Sequence, residues 1–159
     1  MLLILVACVR SKAEEIDFEA IPCVSEVFCW EVANEFNISE ALLISVCWQE
    51  SKFNKEVVGG NVSQITNLKW FSEGITYTDA KDPKGNQFEN IRILGYYLHK
   101  WAVEYPEEPY LWVDMWNKGY EKALVTYNPN NPSRYARTVV NRIPQIEEYI
   151  YRTERKNKP

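Results

Sequence analysis

The sequence predicts a mainly α domain of the α+β class, with one small β-hairpin. Three observations lead there. Apolar residues recur at three- and four-residue spacing in about five stretches between Pro22 and Val140, the period of helices with one buried face. The segments between them are rich in turn formers, as in Asn37-Ile38-Ser39, Gly59-Gly60-Asn61 and Pro129 to Pro132, and Val57 to Tyr77 is the loop-rich part. Short β-branched runs, Glu56-Val57-Val58 and Val62 to Thr66, can make one small hairpin.

A chain of 159 residues defaults to one domain and can bury a sizeable core. The domain is expected over residues 20–150, after a leader at 1–13 and before a charged tail at 151–159. Met1 to Val9 is wholly apolar and then turns polar at Arg10. That run is too short to span a bilayer, so no stable membrane span is expected. It reads instead as part of a secretory signal, with small residues in Ser11-Lys12-Ala13, or as a lipobox, Leu5-Val6-Ala7-Cys8, that would lipidate Cys8. Either reading places the protein outside the cytoplasm, secreted or at the cell envelope; the alternative is an apolar N-terminal strand or helix of the mature fold.

A net charge of −4, with no basic block before the tail, argues against nucleic acid as a partner. The one histidine, His99, has no Cys or acidic cluster beside it, so no His-based metal site is expected and no cofactor is required. It reads as a surface residue of a helix. Six Trp and ten Tyr would suit a sugar-binding cleft, because aromatic faces stack on pyranose rings, with an aromatic-rich core as the plain alternative that accounts for most of them.

Pro22 to Phe36 reads as the first helix, with Val24, Val27, Phe28 and Val32 setting the period and Glu31 outward. Ser39 can cap the second, with Glu40 in its positively polarised first turn. Leu42, Leu43, Val46 and Cys47 form its apolar face, and Glu50 falls on that face near the end. Desolvation there should make Glu50 hold its proton more tightly than a free glutamate, which suits general-acid chemistry. Cys23, Cys29 and Cys47 are an odd number, so at least one thiol stays free. Cys29 with Cys47, Cys23 with either, or no pairing at all are open alternatives.

Asn90 to Glu104 is strongly amphipathic through Ile91, Leu94, Tyr97, Leu98 and Trp101, and Asn90 can cap it or hold the loops above it. Leu111 to Gly119 reads as another helix, which Gly119 can end. The last helix begins at Ser133-Arg134-Tyr135. From Glu147 the chain reads as a charged tail with frayed ends. Asp79 and Asp82, near Asp-Pro-Lys-Gly, are candidates for a second carboxylate, although that composition is turn chemistry.

Trp48-Gln49-Glu50-Ser51-Lys52-Phe53 resembles the Glu-Ser-x-Phe signature of lytic transglycosylases of the soluble, goose-lysozyme-like superfamily. Further segments follow in the family's order. Gln64 stands where the family carries the Gln of Gly-Leu-Met-Gln, without the three residues before it. Asn90-Ile91 to Tyr97-Leu98 resembles the Asn-Ile…Tyr-Leu helix. Met115-Trp116-Asn117-Lys118-Gly119 resembles Ala-Tyr-Asn-x-Gly, for which Val125-Thr126-Tyr127-Asn128, without the Gly, is a competing match. Tyr135-Ala136-x-x-Val139 resembles a Tyr-Val-x-x-Val pattern. The likeness runs from about Phe36 to Val140.

The resemblance implies a lysozyme-like fold with the hairpin beside the active-site cleft. It implies Glu50 as the sole acid/base, Ser51 shaping the site, Gln64, Trp116 and Asn117 in the substrate cleft, and the Tyr135 hydroxyl close to Glu50. The substrate would be the glycan strands of peptidoglycan, cleaved by a monomer of bacterial or phage origin. A disulfide that some relatives form with a Gly-Asn-Cys segment is not implied here, because Val62 stands near that position. A hydrolase using Asp79 or Asp82 to place a water, and a glycan-binding or virion protein without activity, are the alternatives.

Overall fold

The computed structural model describes residues 16–54, 63 and 87–156. The leader with Cys8, the two hairpin segments, Gln64, Asp79 and Asp82 lie outside the described residues. Among the described residues all regular structure is helical. A 3₁₀ turn (Phe18–Ala20) leads into α1 (Cys23–Phe36), α2 (Glu40–Ser51), α3 (Gln87–Glu104), α4 (Pro109–Lys118), α5 (Tyr120–Thr126), α6 (Arg134–Val140) and α7 (Ile143–Lys156). None of the described helices is long and apolar enough to cross a membrane.

The centre is α2. Every residue from Ala41 to Trp48 is buried, so the helix is covered all round rather than on one face. It packs against α1, α3, α6 and α7. Its fully buried Ser45 donates its hydroxyl to the Val139 carbonyl at 2.7 Å and ties α2 to α6. The turn before it forms as its composition directs. Asn37 closes α1 in the left-handed conformation at φ 50°, Ile38 N–H reaches back to the Ala33 carbonyl, and Ser39 accepts from Leu42 N–H.

In α1 the period is right and the phase is shifted. Ser25, Cys29, Val32 and Ala33 are buried, whereas Val24 and Val27 are half exposed. Small side chains on the inner face let α1 and α3 approach closely, and Ser25 Oγ is satisfied by Gln87 Nε2 at 2.6 Å. Gly95 of α3 completes that approach. A Cβ there would lie 2.3 Å from Val32 Cγ1 and 3.1 Å from Phe36 Cδ2. Gly95→Ala is therefore expected to destabilise the protein by about 1–3 kcal/mol despite alanine's better helix propensity, seen as a lower urea midpoint. Across the same interface Arg92 Nε meets the two Glu35 oxygens at 2.9 and 2.8 Å.

The charged C-terminal segment is not a frayed tail but a helix that runs to Lys156. Ile146 is fully buried, Ile143 and Ile150 pack on the core, and Tyr149 stacks on Phe18 with ring centroids 4.2 Å apart. Tyr149 also donates to Glu26 at 2.8 Å, fastening α7 to α1. α5 was not expected either; only Ala123 of it is buried. Gly119 ends α4 as anticipated, at φ 88°.

Candidate active site

The site forms where α2 ends. Glu50 lies in its last turn and is half-buried. Immediately beyond, Lys52 and Phe53 both take positive φ, 52° and 57°. Two successive non-glycine residues in the left-handed region are costly, and such strain persists where the surroundings over-determine it. Here Phe53, 3% exposed, is anchored in the core, and Asn54 N–H closes the turn onto the Ser51 carbonyl at 2.9 Å. Ser51 is buried and its hydroxyl donates to the Cys47 carbonyl at 3.3 Å. The Ser-Lys-Phe sequence thus builds a sharp, fixed exit that holds Glu50 at the helix end.

Tyr135 of α6, 85 positions away in the chain, donates its hydroxyl to Glu50 Oε1 in a short hydrogen bond. This is the contact the sequence resemblance implied. Burial raises the Glu50 carboxyl above the ordinary glutamate range, and the Tyr135 hydroxyl, which favours the ionised form, draws it partly back. Burial and the Glu50 charge push the Tyr135 phenol far up, so it remains a donor. The pair is a carboxyl group inclined to keep its proton, with one oxygen oriented by a fixed O–H.

Tyr135→Phe removes the donor that favours the carboxylate. The Glu50 pKa is expected to rise further, and any rate that needs protonated Glu50 should persist to higher pH. The loss of orientation should lower kcat/KM about tenfold. A pH–rate profile of the variant checks both.

A second pair, not foreseen, supports the same helix end. Arg142, 2% exposed, donates Nη1 to Gln49 Oε1 at 2.7 Å. The spacing of Arg142 from Ala136, Val139 and Ile146 hints at its burial, although it names no partner. Nearby, the buried carboxylate of Asp114 accepts from Ser133 Oγ and from Lys118 Nζ at 2.8 Å, and Ser133 in turn caps α6 through Ala136 N–H. Asp114 and Ser133 thereby set the start of the helix that carries Tyr135.

Asn90 does not cap α3, which begins earlier, at Gln87. It is fully buried, and its Oδ1 accepts from Ser63 N at 2.7 Å and Ser63 Oγ at 2.6 Å. Trp116 is half-buried against the core, and Asn117 is exposed at the end of α4. In the competing match, Tyr127 donates to Glu108 in a short hydrogen bond. Of the expected site residues, Glu50, Ser51 and Tyr135 are therefore brought together at one helix end. No protein-family model, curated protein or solved structure matches the chain.

Proposed function

We propose that the protein is a peptidoglycan lytic transglycosylase with a lysozyme-like fold, acting at the cell envelope or as part of a phage. The observation that carries this reading is the Glu50–Tyr135 pair: one partly buried carboxyl with elevated proton affinity, held by a hydroxyl at a rigid helix end. The ordered run of Glu-Ser-x-Phe, Asn-Ile…Tyr-Leu and Tyr-x-x-x-Val around it supports the same family.

In this mechanism protonated Glu50 donates to the oxygen joining N-acetylmuramic acid to N-acetylglucosamine, and that C1–O bond breaks. The 2-acetamido group of the substrate stabilises the positive charge at the anomeric carbon. Glu50, now ionised, takes the proton of the C6 hydroxyl as O6 bonds to C1. The products are a free N-acetylglucosamine end and a 1,6-anhydro-N-acetylmuramic acid end. No water is consumed, and Glu50 finishes protonated. Tyr135 holds the acid in place through both proton transfers. Gln64, Trp116 and Asn117 are assigned to the sugar, and Ser51 to the shape of the site.

Mass spectrometry of the soluble products from purified sacculi tests the reading. Muropeptides one water lighter than ordinary ones are the expected result. Fully hydrated products would overturn it in favour of hydrolysis with Asp79 or Asp82. Glycan binding without any product would overturn it in favour of a binding protein.

A further inference from the structure

A groove of about 260 Å³ is lined by α1, α7 and the first half of α2. Glu40, in the first turn of α2, belongs to it, whereas Glu50 lies in the last turn, about 15 Å further along the helix. The groove is therefore separate from the acid. Ile44 and Ile150 give it an apolar surface. Trp30 of α1 adds an aromatic one. It is 54% exposed, and among the described residues no ring or cation sits on its indole. A tryptophan left open in this way is a platform for a cation.

The polar groups of the groove point to the sign of that ligand. Glu26 and Glu40 bring carboxylates, and no Lys, Arg or His lines the groove among the described residues. Its hydroxyls are engaged within the protein: Tyr149 donates to Glu26 at 2.8 Å, and Thr153 donates to the Tyr149 carbonyl at 2.9 Å. The Tyr149 hydroxyl is a neutral donor, and Glu26 makes no ion pair among the described residues, so its charge is uncompensated. Glu26 and Trp30 are four residues apart on α1 and so share one face. A neutral sugar could stack on the indole but would leave the carboxylate charge unpaired. A lysine-type side chain meets every feature at once, because its hydrocarbon stem covers apolar surface while its ammonium carries three donors and a charge.

We propose that the groove binds the aminoalkyl side chain of a peptide, with its methylenes along Ile44 and Ile150 and its ammonium between Glu26 and the face of Trp30. The source of the peptide rests on the proposed peptidoglycan substrate: it is a peptide stem of the wall polymer that carries an uncrosslinked diamino acid. The protein then holds the polymer at two places, the glycan at one end of α2 and a stem amine at the other.

The probe is Nα-acetyl-lysine N-methylamide, titrated into the full-length protein. NMR follows the Trp30 indole N–H, assigned by its absence from the Trp30→Phe spectrum. A saturable shift is expected. The same probe with its side-chain amine acetylated should bind at least tenfold more weakly, on the order of what a desolvated cation–π contact and a charge-assisted hydrogen bond supply together. Glu26→Gln, checked by its Tm to be folded, should weaken binding of the free amine to a similar degree. No saturable shift, or equal binding of the acetylated probe, would overturn the proposal, and that comparison needs no variant. Sacculi with free amines should retain the Glu50→Gln protein several-fold better than sacculi treated with acetic anhydride; equal retention would overturn the stem as the source. Wild-type protein that binds the lysine probe but releases no anhydro-muropeptides would remove the transglycosylase reading and leave the groove standing. Anhydro products without probe binding would do the reverse.

Discussion

Glu50→Gln is expected to reduce release of soluble muropeptides by about 10²–10⁴-fold, the range that a positioned general acid contributes. The amide keeps the shape of the side chain and can still accept from Tyr135, so glycan binding should survive while turnover does not. The same substitution should stabilise the fold at neutral pH. Glu50 has a folded-state pKa above its unfolded value. Its contribution to stability is thus fully present below the unfolded pKa and is lost as pH rises through the folded one. Above that range the half-buried carboxylate is a net cost, which the neutral amide removes. Thermal melts at pH 7 should show the variant more stable by about 0.5–2 kcal/mol, the size usual for relieving an unfavourable active-site group, with the gap closing at acid pH. Wild-type activity should fall as pH rises through the Glu50 pKa. Full turnover by the variant would remove Glu50 from the mechanism.

Asn90→Ala should have the largest effect on stability. Ser63 N–H and Oγ both point at one buried amide oxygen, and neither group is exposed. Truncation orphans the Ser63 N–H and leaves a void at a fully buried position, while Ser63 Oγ keeps the Asn90 backbone carbonyl at 3.2 Å, for an expected loss of about 2–4 kcal/mol in urea unfolding.

Local signals were legible in the sequence, and partner choice across the fold was not. Ser39, Asn37 and Gly119 each act within a few residues of themselves, and each does what its chemistry dictates. The apolar face of α2 and the place of Glu50 on it follow from spacing alone. α1 shows the limit of that reasoning: the larger apolar residues suggested one face, but close packing against Gly95 selected the smaller ones. In α7 the many charges masked the spacing of Ile143, Ile146, Tyr149 and Ile150, which is helical throughout. α5 had only Ala123 to announce it. At the site, Tyr135 was legible through its motif, whereas the Arg142–Gln49 bond joins residues 93 positions apart that carry no mutual signal. Ser63 was unremarkable in sequence because its importance lies in what Asn90 does to it.

The covering of α2 by α6 and α7 has a consequence for the order of events during synthesis. Glu50 emerges in the first third of the chain, but the phenol that orients it and the helices that complete its surroundings belong to the last. Until residues beyond Arg134 have left the ribosome, Glu50 lacks both the Tyr135 hydroxyl and the cover of α6 and α7. A nascent or truncated chain therefore carries Glu50 without the surroundings that its proposed role as an acid requires. For a protein proposed to cut the wall of the cell that makes it, the C-terminal helices act as a built-in delay, switching the acid on only when the whole domain is finished.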